Sequence, residues 1–390
     1  MPNPFTDPIT ILGQTKGRGL PVQFGVYHSD RLFHTLVLGQ TGTGKSTLLL
    51  NMMRQDAEAG QGFLLLDPHG DLVDGIKPHL PDNAIHWDIA DPECIYGYNP
   101  LTYVPDQYRP LLAAGIIDAL KNQWSDAWGV RMEHLLRFTL LALLSRRGSS
   151  LADIVPMFTD KAFRRIVLQS VTDKQVLSFW QDEYSKMNYK NAFDGVAPIA
   201  NKLGAFLSNP VVRKSLCKPE QPLRLRRIMD EGTPLVIKLA KGRLGSDVAD
   251  VIGGLILSLT SQAAFTRVDQ LERERRPFII YADEFHNFTT KSVSGMLSEL
   301  RKFKVGLVLS GQYISQSSSS IQDALFGNVG NIITFRCGVQ DAQTLARQLE
   351  MRSSTDLIGL PNYRFFCSLM IRGELSKAFS AQSLDQLRHL

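Results

Sequence analysis

Cysteine is scarce and scattered in this chain of 390 residues. Its four cysteines are Cys94, Cys217, Cys337 and Cys367; no two form a CxxC pair, and no histidine cluster accompanies them. That spacing argues against structural zinc and for a reduced, cytosolic compartment. Long apolar runs are also missing. None reaches the ~18–20 residues needed to cross a bilayer. The nearest, Val251 to Phe265, is broken by Ser258, Thr260, Ser261 and Gln262, and reads as a buried helix. The opening residues, MPNPFTDPIT, lack the basic start and apolar core of a signal peptide. Charge of one sign is only mildly in excess, at +5, which permits a polyanionic partner without demanding one. No internal repeat is present, and the only low-complexity patch is Ser317–Ser320, read as a loop. With 44% hydrophobic and 21% charged residues, the composition excludes disorder. The length suits two or three domains.

The positive signals begin near residue 33. Residues 1–32, rich in Pro, Gly and polar groups, read as an extended lead-in. FHTLVL (Phe33–Leu38) reads as a short buried strand that runs into GQTGTGKST (Gly39–Thr47) and then a helical stretch, LLLNMMRQDAEAG. A second strand, GFLLLD (Gly62–Asp67), follows after a crossover of a length suited to parallel pairing. From about residue 106 to 230 the spacing is helical, with no convincing strand. Strands then return at Pro234–Ala240, Phe278–Glu284, Val305–Ser310, Asn331–Cys337 and Arg364–Ile371. The first four are apolar and mostly unalternating, as expected of strands covered on both faces. The expectation is an α/β fold with a mainly parallel central sheet, built from 1–105 and 231–390. An all-α domain, 106–230, is inserted into it. The insertion holds 19 Lys+Arg against 12 Asp+Glu, so it carries +7 while the remainder carries −2.

Gly39–Ser46 fits GxxxxGK[ST]. Glycines let successive backbone N–H groups curl around phosphate oxygens, and a helix N-terminus adds partial positive charge. The cradle would be Gly39, Thr41, Gly42, Thr43, Gly44, Lys45, Ser46 and Thr47. Lys45 would reach the β- and γ-phosphates of ATP, and the Ser46 hydroxyl would ligate Mg²⁺. FIIYADEF places Asp283 at the carboxyl end of a buried strand, where it would hold the Mg²⁺ shell, with Glu284 polarising the attacking water. VGLVLSGQ ends a third strand in Gln312, a candidate sensor of the γ-phosphate. In the turn DPHGD, His69 is open to a metal-ligand or base role, but Asp67 capping the next helix is the favoured reading. Ring ATPases borrow an arginine from a neighbouring subunit. The candidates are Arg243 in KGRLG, then Arg131 and Arg336.

The segments GQTGTGKSTLL, FLLLDPHGDLV, KGRLGSDVADVIGGLIL, YADEFHNF, SELRKFKVGLVLSGQYISQ and FGNVGNIITFRCGVQDAQTLARQ occur in this order. Over about residues 30–375 they resemble the HerA–FtsK superfamily of DNA-pumping ATPases. More narrowly, they resemble the soluble part of TraG-like type IV secretion coupling proteins. The resemblance implies a RecA-like P-loop NTPase domain with an inserted all-α domain, in a homo-hexameric ring acting on DNA during conjugative transfer, with a relaxase or secretion-channel ATPase as partner. Two other readings stay open: a HerA-type soluble translocase serving a nuclease in end-processing or defence, and a nucleotide-switched scaffold that recruits substrates. Many coupling proteins carry N-terminal membrane helices. Here the expectation is a cytoplasmic chain with no span of its own, either a soluble relative or one whose anchor is missing. Arg224, Arg226 and Arg227 are the first place to look for phosphate contacts.

Overall fold

The computed structural model describes residues 7–15, 20–102, 104–187, 189–288, 292–315 and 317–384, the side chains of 189–194 excepted. The chain divides into two compact units. One spans Met1–His86, Arg226–Leu239 and Ala264–Leu390; the other spans Trp87–Leu225 and Ala240–Ala263.

The first unit is built on a sheet. Its strands are β1 (Ile9–Thr15), β2 (Gln23–Tyr27), β3 (Thr35–Leu38), β4 (Gly62–Asp67), β5 (Ile85–Asp88), β6 (Leu235–Lys238), β7 (Phe278–Ala282), β8 (Val305–Gly311), β9 (Asn331–Thr334), β10 (Arg364–Ser368) and β11 (Phe379–Ser383). They lie in the order β2-β1-β11-β10-β9-β3-β8-β7-β4-β6-β5. The six from β9 to β6 pair in parallel. The chain enters β5 from this unit, where Ile85 N–H donates to Pro234 O. The parallel strands are buried along nearly their whole length, as their unbroken apolar sequences require. The helix Lys45–Glu58 covers one face. Leu48, Leu49, Met52 and Met53 pack there against Val37, Phe63, Leu65, Tyr281, Val308 and Phe335.

The N-terminal lead-in is not merely extended. β1 and β2 form an antiparallel pair, and β1 pairs in turn with β11, which pairs with β10. These strands are short, interrupted by Gly13 and Gly25, and only partly buried, so they carry little apolar periodicity. Gly25 is required by close approach: a Cβ there would lie 2.2 Å from Thr10 O.

The second unit is largely helical. Along Val130–Leu144 the buried residues Met132, Leu135, Leu136, Thr139, Leu140 and Leu143 recur at helical spacing. Phe138 stacks on Phe179 with ring centroids 4.3 Å apart. Some helix starts use local chemistry: Asp160 accepts from Ala162 and Phe163 N–H, and Ser150 and Asp153 form a capping box. One short strand pair, Tyr96–Gly97 with Gln221–Pro222, ties the two ends of the helical region together. The helix Ser246–Phe265 is long and apolar enough to cross a bilayer, but most of it is buried within the protein. Its polar Ser258 donates to Gly115 O at 3.2 Å.

Candidate nucleotide site

The site forms where β3, β4, β7 and β8 end together at the carboxyl edge of the parallel sheet, the usual ligand position in open α/β folds. After Leu38 the chain turns through Gly39–Gly44 into the helix that starts at Lys45. Gly42 and Gly44 sit at φ +75° and +119°. At Gly44 a Cβ would also come within 3.1 Å of the Phe335 and Tyr363 rings, so space and backbone both demand glycine. Thr43 Oγ1 donates to Gln40 O at 2.7 Å and tightens the turn. Lys45 Nζ folds back on the loop, donating to Gly39 O at 2.6 Å and Gln40 O at 3.2 Å. Burial lowers its pKa, while Glu284 and Asp283 pull it back up.

Asp283 follows directly on β7, its N–H donating to Leu66 O at 3.1 Å. Burial lifts its carboxyl to about 6, and the neighbouring carboxylates Glu284 and Asp67 push the same way; Ser310 and Lys45 oppose them. Glu284 is buried in left-handed backbone at φ +47°, uncommon for a residue with a side chain. Its Oε1 accepts from Gln312 Nε2 at 2.9 Å, and Oε2 lies 3.5 Å from His286 Nδ1. Oε2 makes no hydrogen bond among the described residues.

These groups line one cleft of about 270 Å³ with Thr41, Ser46, Thr47, Asp67, His69, Asp71, Leu72 and Tyr363. The structure thus brings together most of the residues named from sequence. Gly39 and Thr43 lie in the turn behind it. Asp67 is consumed as a cap: its carboxylate accepts from the N–H groups of His69, Gly70 and Val73. His69 stands exposed on the rim. Among the described residues no group of three or more His, Cys, Asp or Glu is arranged to hold a metal. A cation here needs phosphate oxygens and water to complete its shell, which is the habit of Mg²⁺. The residues fit such a guest. Lys45 and a glycine cradle face the phosphates, Ser46 lines the cleft, and Asp283 is a carboxylate whose burial a divalent charge would offset.

The three arginines have different surroundings. Arg336 is fully engaged within its own chain, donating to Gln40 Oε1, Leu360 O and Asn362 Oδ1. Arg131 is exposed on the helix Val130–Leu144. Arg243 is exposed in the short helix Lys241–Leu244. Of the basic trio near residue 225, Arg226 is bound to Asp230, Asp269 and Thr266, and Arg227 pairs with Glu231. Only Arg224 is exposed without an acidic partner among the described residues, so charge reversal of all three would break structural bridges as well as any phosphate contact.

Sequence reasoning missed two features. Tyr363 and the loop leading to it press on the P-loop. Beneath the site, Arg31 is buried with Asp56 of the P-loop helix at 2.5 and 2.9 Å, with Tyr281 of β7 at 2.6 Å and with Thr10 of β1 at 2.9 Å. The partners lie up to 250 positions apart, and no local pattern announces them.

A parallel sheet ending in a glycine cradle, a lysine at the start of the helix that follows and an acidic pair after a neighbouring strand define a P-loop ATPase. The family described as helicase HerA, central domain, matches residues 11–243, more than half of the chain, and the chain belongs to that family. Among solved structures it is similar to the plasmid coupling protein TrwB in complex with ADP and Mg²⁺. That match has 17% identity and a TM-score of 0.65, and covers 95% of this chain and 89% of the other. TrwB with a non-hydrolysable ATP analogue matches over the same shares at 17% identity and a TM-score of 0.66. VirB4 of Thermoanaerobacter pseudethanolicus matches with 10% identity and a TM-score of 0.66, over 96% of each chain. No curated protein matches the chain in sequence.

Proposed function

We propose that this protein is an ATP-driven motor that moves DNA, acting as a coupling-protein-like hexamer in conjugative or type IV secretion transfer. ATP and Mg²⁺ are its cofactors. The observation that carries the reading is the convergence of Lys45, Ser46, Asp283, Glu284 and Gln312 on one cleft at the sheet edge. Support for the setting comes from the fold shared with TrwB, a conjugative coupling protein, and with VirB4. The functional division follows the sequence: a nucleotide domain from 1–105 and 231–390, and an all-α insertion, 106–230, that carries the net positive charge. We place the protein in the cytoplasm.

In this reading Lys45 exchanges its loop carbonyls for the β- and γ-phosphate oxygens. Ser46 and Asp283 would hold Mg²⁺, which when bound would neutralise charge building on the phosphates. Glu284 takes the proton of the attacking water, and its Oε2, without a hydrogen bond among the described residues, is the atom available to do so. Gln312 holds the other carboxylate oxygen and reports on the γ-phosphate. Arg243, from a neighbouring subunit, supplies the missing cation, with Arg131 and Arg336 as the lesser candidates. The internal bonds of Arg336 weigh against it.

A second reading, a HerA-type translocase paired with a nuclease, is favoured by the family match itself. It shares the motor and differs in the partner. ATPase rate with and without single- and double-stranded DNA, alongside particle size, is the deciding measurement. A rate indifferent to both DNAs, from a particle that stays monomeric, refutes the motor in either setting.

A further inference from the structure

The cleft of about 270 Å³ is small, and most of the residues lining it are of polar type. Pockets for whole small ligands usually run ~300–1,000 Å³, so this one suits a triphosphate tail and leaves the nucleoside to be received beside it. Among the described residues lining it, Tyr363 alone carries a six-membered aromatic ring. That ring is not core filling. Tyr363 is 47% exposed, while Phe365, two residues on, is fully buried. Its backbone is left-handed, at φ +64°, which for a bulky residue is uncommon and held only where the surroundings impose it.

The surroundings do impose it. Tyr363 N–H donates to Thr43 O in the P-loop at 2.7 Å, and its carbonyl accepts from Ser383 N–H at 2.8 Å. Upstream, the Arg336 guanidinium grips Leu360 O and Asn362 Oδ1 while also reaching Gln40 Oε1, and Gln40 N–H donates to Arg336 O. The loop Leu360–Tyr363 is therefore tied to the P-loop at Gln40 and at Thr43. The ring edge ends 3.1 Å from where a Gly44 Cβ would stand. A second cleft of about 500 Å³, lined by Leu360 of this loop and by Arg364 just after it, lies beside the loop.

We propose that Tyr363 is the platform on which the nucleoside of the bound triphosphate stacks, and that Arg336 is a positioning residue fixing the loop that presents it. The inference rests on the P-loop being a nucleotide site. Aromatic stacking tolerates any base, because every base has a π-face. The platform therefore favours a nucleotide over a bare polyphosphate without selecting adenine over guanine.

The test compares binding of ATP and of inorganic tripolyphosphate, each with Mg²⁺, to the full chain. Wild type should prefer ATP. Tyr363→Ala should lose that preference by roughly five- to a hundredfold, the scale of a lost stacking contact, with tripolyphosphate affinity unchanged. Tyr363→Trp should keep the preference. Tyr363→Leu, which fills similar space without a π-face, should lose it and covers the case in which the alanine variant folds poorly. Arg336→Lys should reduce the preference in the wild-type background and add nothing once Tyr363 is alanine, as expected of a residue acting through another. An undiminished preference in Tyr363→Ala and Tyr363→Leu overturns the platform while leaving the P-loop reading intact. Wild type that binds neither ligand brings down the P-loop reading itself.

Discussion

Asp283 gives the most direct measure of how the site is built. Its carboxyl titrates at about 6 rather than 3.8, mainly because burial disfavours the charged form. In the unfolded chain it ionises near the ordinary value. Between those two pH values the native state holds a proton that the unfolded state has lost. Stability from this group is thus greatest below about 3.8, falls as pH rises to about 6, and is flat above. A shift of about two units corresponds to about 3 kcal/mol of destabilisation in the ligand-free protein at pH 8, and to about half of that at pH 5. Asp283→Asn removes the buried charge and keeps the shape. The ligand-free variant should melt roughly 5–10 °C above wild type at pH 8 and by a smaller margin at pH 5. It should also lose Mg²⁺-dependent hydrolysis. Thermal scans at both pH values, with and without Mg²⁺ and ATP, check this. Added ligand should raise wild type more than the variant, closing the gap. A ligand-free variant no more stable than wild type at pH 8, or a gap independent of pH, refutes the claim that Asp283 is held in a buried site waiting for a cation.

Lys45→Ala should lose both tight ATP binding and hydrolysis, whereas Glu284→Gln should still bind ATP and fail to turn it over; a Glu284→Gln rate within about threefold of wild type removes Glu284 as the base. Mixtures of Lys45→Ala with Arg243→Ala subunits should recover part of the activity each lacks alone, since one keeps the arginine and the other keeps the cradle. Full activity of Arg243→Ala by itself, unchanged on dilution, rules out a finger supplied in trans from that position. Asp56→Ala strands the buried Arg31 and should cost about 3–5 kcal/mol, lowering the denaturant midpoint of the sheet unit. A midpoint near wild type would mean that water reaches Arg31 and that the pair is not sealed.

The central strands were legible because each carries adjacent apolar residues with little alternation, and the P-loop because its chemistry is packed into eight consecutive residues. The same clarity failed at the antiparallel edge. FSAQS, now β11, is small and polar, and ITILGQT is half exposed and broken by glycine, so neither shows the pattern of a buried strand. Within the site, Lys45, Asp283, Glu284 and Gln312 could be named because each ends or follows a readable element. Tyr363, Arg336 and the Arg31–Asp56–Tyr281 cluster could not, because their meaning lies in contacts between distant segments. Arg226 makes the converse point. In sequence it belongs to a basic run; in the fold Asp230 and Asp269 have already claimed it.

The place of β3 in the sheet has a consequence for synthesis. The strand that launches the P-loop is flanked on one side by β8 and on the other by β9, whose residues begin at Val305 and Asn331. A ribosome that has made the first hundred residues has made the whole cradle but neither of its neighbours. Until some 230 further residues emerge, β3 carries two open backbone edges and an apolar face, the kind of surface that pairs with the wrong chain. Nucleotide cannot rescue it early, because Asp283 and Glu284 arrive only with β7. The emerging polypeptide must therefore keep its most conspicuous motif from aggregating for most of its translation, until β8 and β9 close its edges.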